Sequence, residues 1–246
     1  MPQFTTLTWE PSARWVRGTK SGTTVVDSKH PVLVRDPDKY VPLYAFPKRD
    51  VRVELLRPSA RPPGGEPDAG GKEFFDLVVD GVTVENAAWA YPPGELADYI
   101  AFEWFLRDGV IDHWYEEDEE IFVTPRDPAH RVDALRSSRH VEVWIDGKLV
   151  ADSRQSVALF ETGHAVRYYV PQEDIRMELF EPTDSRTGCP YKGFASYWSY
   201  TGGDTPVTRP DVAWGYPDPT PESGPIKGHL AFYDNVAEYV VDGEKI

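Results

Sequence analysis

The chain holds one cysteine, Cys189, and its neighbours are the residues best suited to chemistry. The segment Gly188-Cys189-Pro190-Tyr191-Lys192-Gly193 sets a thiol three residues from an ammonium. A nearby cation is a recognised means of favouring a thiolate. The preceding Thr-Asp-Ser-Arg-Thr-Gly run has the composition of a turn, because Asp and Ser bond locally to backbone and Gly tolerates positive φ. Ile175, Met177 and Leu179 alternate with Arg176 and Glu178, which predicts a strand over 170–180, and residues 194–198 resume β character. Cys189 and Lys192 are therefore expected at the mouth of a hairpin, ordered but reachable. The plainer alternative is a small buried cysteine beside a solvated lysine, since free cysteines are among the most buried residues.

A second group lies just upstream. Glu161, His164 and Arg167 put a carboxylate, an imidazole and a guanidinium within seven positions, enough for acid/base work and anion binding in one cleft. Strand alternation sends Arg167 and Tyr169 to one face and Tyr168 to the other. The catalytic candidates are thus Cys189, Lys192 and Glu161. Candidate ligand contacts are Arg167, Tyr168, Tyr191 and Trp198, joined by Trp214 and Tyr216 of an aromatic-proline motif that could stack on a planar ligand or simply close a core. No metal site is expected: the acidic run at 116–120 cannot turn five consecutive carboxylates to one ion, and the six histidines show no ligand spacing. No cofactor motif is present either.

Residues 141–198 carry the motifs FETG, RYYVP, EPTDSRTGCPYKG and YW. In these the chain resembles the bacterial domain of unknown function 427 family, sometimes filed under a nucleotidyltransferase-like name. The resemblance implies a small all-β tent, two antiparallel sheets pinned at one edge and splayed over a cleft, as in methionine sulfoxide reductases of the B type. It implies no assigned activity. Nucleotidyl transfer needs a Gly-Ser turn opening a helix, followed by two acidic residues on one strand to hold Mg²⁺. Ser21-Gly22 with Asp36-Pro37-Asp38 imitates that spacing, but the intervening Thr23-Thr24-Val25-Val26 reads as a strand and Pro37 would break the next one.

The elements that must position these residues come twice. Val25-Val26-Asp27-Ser28 matches Val150-Ala151-Asp152-Ser153, Tyr44 through Pro58 matches Tyr168 through Pro182, and Ala88-Trp89-Ala90-Tyr91-Pro92 matches Ala213-Trp214-Gly215-Tyr216-Pro217. The fold class expected is mainly β, two tandem tent-like domains each with a short helix. The first repeat is set at 14–127, a polar linker at 128–140, and the second repeat, with the CPYKG turn, at 141–246. The helices are expected from Ile100, Ala101, Trp104 and Phe105, ended by Gly109, and from Phe232, Val236, Ala237 and Val240. The first repeat reads as degenerate, because a Pro/Gly-rich loop replaces the cysteine turn. The two repeats together would form a pseudo-dimer within one chain.

Composition bounds the partners. A formal charge of −15 without a basic patch argues against nucleic acid and anionic lipid. No segment approaches the apolar length of a membrane span, and a single cysteine forms no internal disulfide, so a reducing cytoplasm is the default. The partner expected is an unidentified small molecule in the second domain, bound or chemically altered with Cys189 taking part. In the version without chemistry, Lys192 and Arg167 act as fixed cations for an acidic ligand. A scaffold that binds other proteins through its acidic, proline-rich surface is the third alternative.

Overall fold

A computed structural model describes residues 4–60, 71–104, 110–202 and 209–246. It separates into two units, residues 1–127 and 128–246. Eleven strands make up the first: β1 Thr8–Pro11, β2 Val16–Lys20, β3 Thr23–Ser28, β4 Val32–Arg35, β5 Leu43–Pro47, β6 Leu56–Pro58, β7 Glu73–Val79, β8 Val82–Ala90, β9 Tyr99–Phe102, β10 His113–Glu116 and β11 Glu119–Ile121. Eleven more make up the second: β12 Val132–Arg136, β13 Val141–Ile145, β14 Lys148–Ser153, β15 Val157–Glu161, β16 Arg167–Pro171, β17 Phe180–Cys189, β18 Gly193–Tyr200, β19 Arg209–Gly215, β20 His229–Phe232, β21 Ala237–Val241 and β22 Glu244–Lys245.

Each unit pairs these strands into a seven-stranded and a four-stranded antiparallel sheet. The orders are β1-β4-β5-β9-β8-β7-β6 with β11-β10-β2-β3, and β12-β15-β16-β20-β19-β18-β17 with β22-β21-β13-β14. The two halves therefore repeat one topology strand for strand, and two such domains in one chain fit a pseudo-dimer. Tight turns fix the registers. Ser21-Gly22, Asp80-Gly81, Asp146-Gly147 and Asp242-Gly243 each place two successive residues at positive φ. This is the two-residue hairpin turn whose twist matches that of its strands.

The seven-stranded sheet is buried on both faces. Between the sheets, one cluster gathers Tyr44, Phe46, Phe102 and Trp114 in the first half, and its counterpart gathers Tyr168, Val170, Phe232 and Tyr239 in the second. The outer face carries separate clusters, around Trp89 and Tyr91 in one half and around Tyr169, Trp214 and Tyr216 in the other. Neighbouring residues on one strand thus serve different cores: Tyr168 is inner and Tyr169 outer, as the alternation predicts.

This double burial corrects several expectations. The helix expected at 100–105 is instead strand β9, whose Ile100 and Phe102 enter the inner core while Ala101 enters the outer one. A strand covered on both faces is apolar throughout and imitates helical spacing. Phe105 and Gly109 lie outside the described residues. The helix expected at 232–240 is the end of β20, a turn and β21, with Ala237, Tyr239 and Val241 inward at period two. Among the described residues the helical segments are short 3₁₀ turns. Two of them, Gln172–Asp174 and Met177–Leu179, occupy the strand expected over 170–180. Conversely, the Thr-Asp-Ser-Arg-Thr-Gly run is not a turn but part of β17, bulged between Pro182 and Arg186, and the chain reverses at 190–192. The linker set at 128–140 contains β12, an edge strand paired with β15. Its counterpart β1 pairs with β4 ahead of residue 14, where the first repeat was set to begin.

Close packing at the β19–β20 contact leaves no room for a larger residue. A Cβ at Gly215 would stand 2.5 Å from the His229 carbonyl oxygen and 2.8 Å from Leu230 Cδ2. Gly215→Ala is expected to cost about 1–3 kcal/mol by overpacking, seen as a lower urea midpoint at unchanged slope. A variant as stable as the parent would show that the two strands can part without cost.

Candidate functional site

Glu161 closes β15, where Val157 opposite Tyr169 fixes its register. Its carboxylate takes a hydrogen bond from Lys192 Nζ on one oxygen and lies 3.1 Å from His130 Nε2 on the other. All three side chains are nearly buried, at 13, 10 and 10 % exposure. The His130 ring stacks on Tyr191 with centroids 4.1 Å apart, and His164 meets it edge-on. Burial works to raise the Glu161 pKa, but the charge and hydrogen bond of Lys192, helped by His130 and His164, outweigh it and hold the carboxyl below the ordinary range.

The turn bearing Lys192 is clamped from behind. The Tyr191 carbonyl accepts hydrogen bonds from Thr220 Oγ1 at 2.6 Å and Ser223 Oγ at 3.1 Å, and the Lys192 carbonyl accepts from the Thr220 amide. Gly193 turns the chain at φ +101°, and a Cβ there would stand 2.9 Å from the Asp218 carbonyl oxygen. Cys189 ends β17, half-buried, and packs against the outer cluster of Tyr169, Tyr197 and Tyr216. Trp214 Nε1 donates to the Tyr169 hydroxyl at 3.2 Å. Desolvation pushes the Tyr169 and Tyr216 pKa values upward, and nearby Glu161 and Cys189 add to it for both. Both phenols are therefore held protonated, as donors. Tyr216 is only 6 % exposed, and its hydroxyl, which makes no hydrogen bond to another described residue, is not fully enclosed and so reaches solvent.

Of the residues singled out by sequence, Glu161, Lys192, Tyr191, Cys189, Trp214 and Tyr216 share this outer-face site. The other three do not line it. Tyr168 and Trp198 belong to the inter-sheet core, because each is one residue out of phase with Tyr169 and Tyr197. Arg167 lies over the Trp214 ring at 5.4 Å but gives its guanidinium to Asp234 and the Phe232 carbonyl. The expected catalytic residues Glu161, Cys189 and Lys192 are thus separated from the expected ligand contacts Tyr168 and Trp198, which lie on the other face of the sheet. His130 was missed altogether, hidden in the stretch read as linker.

The first half holds a counterpart that the sequence concealed. Val32 opposite Ala45 repeats the register of Val157 opposite Tyr169, so Asp36 falls at the place of Glu161. Asp36 is 2 % exposed and accepts from Lys72 Nζ at 2.9 Å and from the Tyr91 hydroxyl at 3.3 Å. Lys72 also binds Asp38 at 2.7 Å. This lysine is not the equivalent of Lys192. Phe74 lies opposite Trp89 and Tyr197 opposite Trp214, which aligns Lys72 with Ala195, three residues further along. The other carboxylates of interest are individually engaged: Glu116 by Arg14 and Tyr44, and Glu120 by His113. His140, Glu142 and Asp152 bring donor atoms within 4.8 Å of one another. The hydrogen bond between His140 and Asp152, at 2.7 Å, accounts for that contact.

The model of the domain of unknown function DUF427 matches residues 8–117 and again residues 133–243. The chain belongs to that family. No curated protein sequence matches it. In the first DUF427 repeat, Ser21-Gly22 forms the β2–β3 turn and opens no helix, so the structural frame of nucleotidyl transfer is missing there. No helix among the described residues is long and apolar enough to cross a membrane.

Removing one member of a buried ion pair strands the other. Lys192→Met is therefore expected to cost about 3–5 kcal/mol, whereas Glu161→Met with Lys192→Met should recover more than half of that in urea unfolding. A single variant as stable as the parent would show the pair to be solvated. The depressed Glu161 pKa also sets a sign. Its contribution is full above the unfolded carboxyl pKa of about 4.3 and is lost as pH falls through the lower folded value. The stability gap between parent and Glu161→Gln should accordingly narrow on acidification below pH 4, and a gap that widened would contradict the assignment.

Proposed function

We propose that the second DUF427 repeat binds a small polar molecule at the outer face of its seven-stranded sheet, through an acceptor oxygen of the ligand. The observation that carries this is the Tyr216 hydroxyl, protonated, reaching solvent and without a protein partner beside Cys189, Tyr169 and the Glu161–Lys192 pair. A ligand carbonyl or carboxylate can take the place of water on that donor. Lys192, with its charge balanced by Glu161, favours an acidic group without demanding one. In the first repeat the corresponding Tyr91 hydroxyl already donates to Asp36, so the ligand is proposed for the second repeat alone.

Thiol-dependent chemistry at Cys189 is the catalytic version of the same reading, favoured by the place of that thiol beside the two tyrosines. Lys192 is bonded to Glu161, and its replacement would test that pair before it tested the thiol. Alkylation of the folded protein near pH 7 that abolishes ligand binding supports the catalytic version. Modification only after denaturation rejects it and leaves binding untouched.

Binding is tested by thermal shift against a panel of small carboxylates and carbonyl compounds, parent beside Tyr216→Phe. Because the hydroxyl lacks a protein partner, the variant alone should match the parent in stability. It should lose the ligand-induced shift. A variant that still shifts fully, or one that is destabilised by more than about 1 kcal/mol without ligand, would sink the proposal.

A further inference from the structure

The space beside the end of β9 in the first repeat differs from that beside the end of its counterpart β20 in the second. In the first, the Trp104 indole lies flat on Trp114, centroids 4.2 Å apart and planes 8° from parallel. Trp104 and Glu103 border two cavities, one of about 390 Å³ reaching Ile111 and Ile121, the other of about 240 Å³ reaching Lys39 and Leu43. The indole is the partition between them. In the second repeat an undivided cleft of about 580 Å³ is bounded by Arg167, Tyr168, Asp234, Val236, Ala237 and Tyr239.

Register shows that these are the same place. Phe102 pairs with Ala88 and Phe232 with Ala213, so Trp104 and Asp234 are equivalent, each two residues beyond. Trp114 lies opposite Gly18 and Tyr239 opposite Val143. Leu43 lies opposite Val34 and Arg167 opposite Leu159. Substituting Asp234 for the tryptophan takes the indole out of the slot and pairs the new carboxylate with Arg167 at the rim.

We infer that this cleft is a second binding site, distinct from the outer-face site, and that its ligand is an uncharged planar aromatic or heteroaromatic molecule filling the slot that Trp104 fills in the first repeat. The volume lies within the range of small-molecule sites, and apolar walls with a few polar groups at the rim are their usual lining. The rim charges are already matched, Arg167 with Asp234 and Lys245 with Glu238. A charged ligand would have to break one of these pairs, and a neutral one breaks none.

Indole itself is the probe, titrated into the full chain by ligand-observed NMR and calorimetry. One molecule should bind per chain, saturably. Asp234→Trp restores the partition and should weaken binding by about tenfold or more. Ala237→Leu fills the cleft while leaving Arg167 and Asp234 paired, and should do the same. Tyr216→Phe, at the other site, should leave indole binding unchanged. Absence of saturable binding to the parent overturns the inference, as does equal affinity in a folded Asp234→Trp or Ala237→Leu variant.

Discussion

A sheet that must bury both faces divides every strand between two environments. In each repeat the seven-stranded sheet turns one set of side chains toward the four-stranded sheet and the alternate set toward an outer cluster. Period two then decides which residues can meet. It brings Tyr169, Tyr197, Trp214 and Tyr216 together and sends Tyr168 and Trp198 behind them. The ionic cluster stands at the rim of that outer face, where Glu161 leaves the end of its strand and apolar neighbours remove water from it. A carboxylate so placed needs a cation close by, and the hairpin of β17 and β18, held by the segment at 220–223, supplies it.

The two repeats solve this requirement separately. Asp36 and Glu161 occupy one position, but Lys72 and Lys192 do not. The shorter aspartate draws its lysine from within reach of Asp38, and the longer glutamate meets a lysine from the turn and an imidazole from the preceding edge. That a buried acid keeps a lysine despite such different routes indicates that the pairing is required, whereas the thiol, present in one repeat only, is not part of the shared device.

Much of this was legible in the sequence. Three blocks in order at offsets of 124 or 125 residues gave the duplication, and Glu161 and Lys192 stood out by residue type. The mainly-β class followed from short alternating runs. What failed did so for physical reasons. Tyr99 to Phe102 is apolar on both faces, so its period is hidden, and the strand was read as a helix. His130 and β12 were lost because a short edge strand between polar stretches looks like a connection; the match of Ser12, Arg14 and Val16 with Ser137, Arg139 and Val141, just beyond β1 and β12, was the available signal. The dipeptides Asp80-Gly81, Asp146-Gly147 and Asp242-Gly243 marked three hairpins that were not used. Lys72 had no signal at all, because its partner lies 36 positions away and its loop resembles no part of the second repeat.

The misaligned lysines have an evolutionary corollary. Copies of a duplicated domain can normally exchange segments by recombination, because equivalent positions do equivalent work. Here a crossover between β4 and β7 would join one acid to the other repeat's cation route, leaving the carboxylate with the wrong reach or with two ammonium groups around it. Exchange of segments between the halves is therefore expected to cost stability at this ion pair. Each repeat is a compatible background only for its own hairpin.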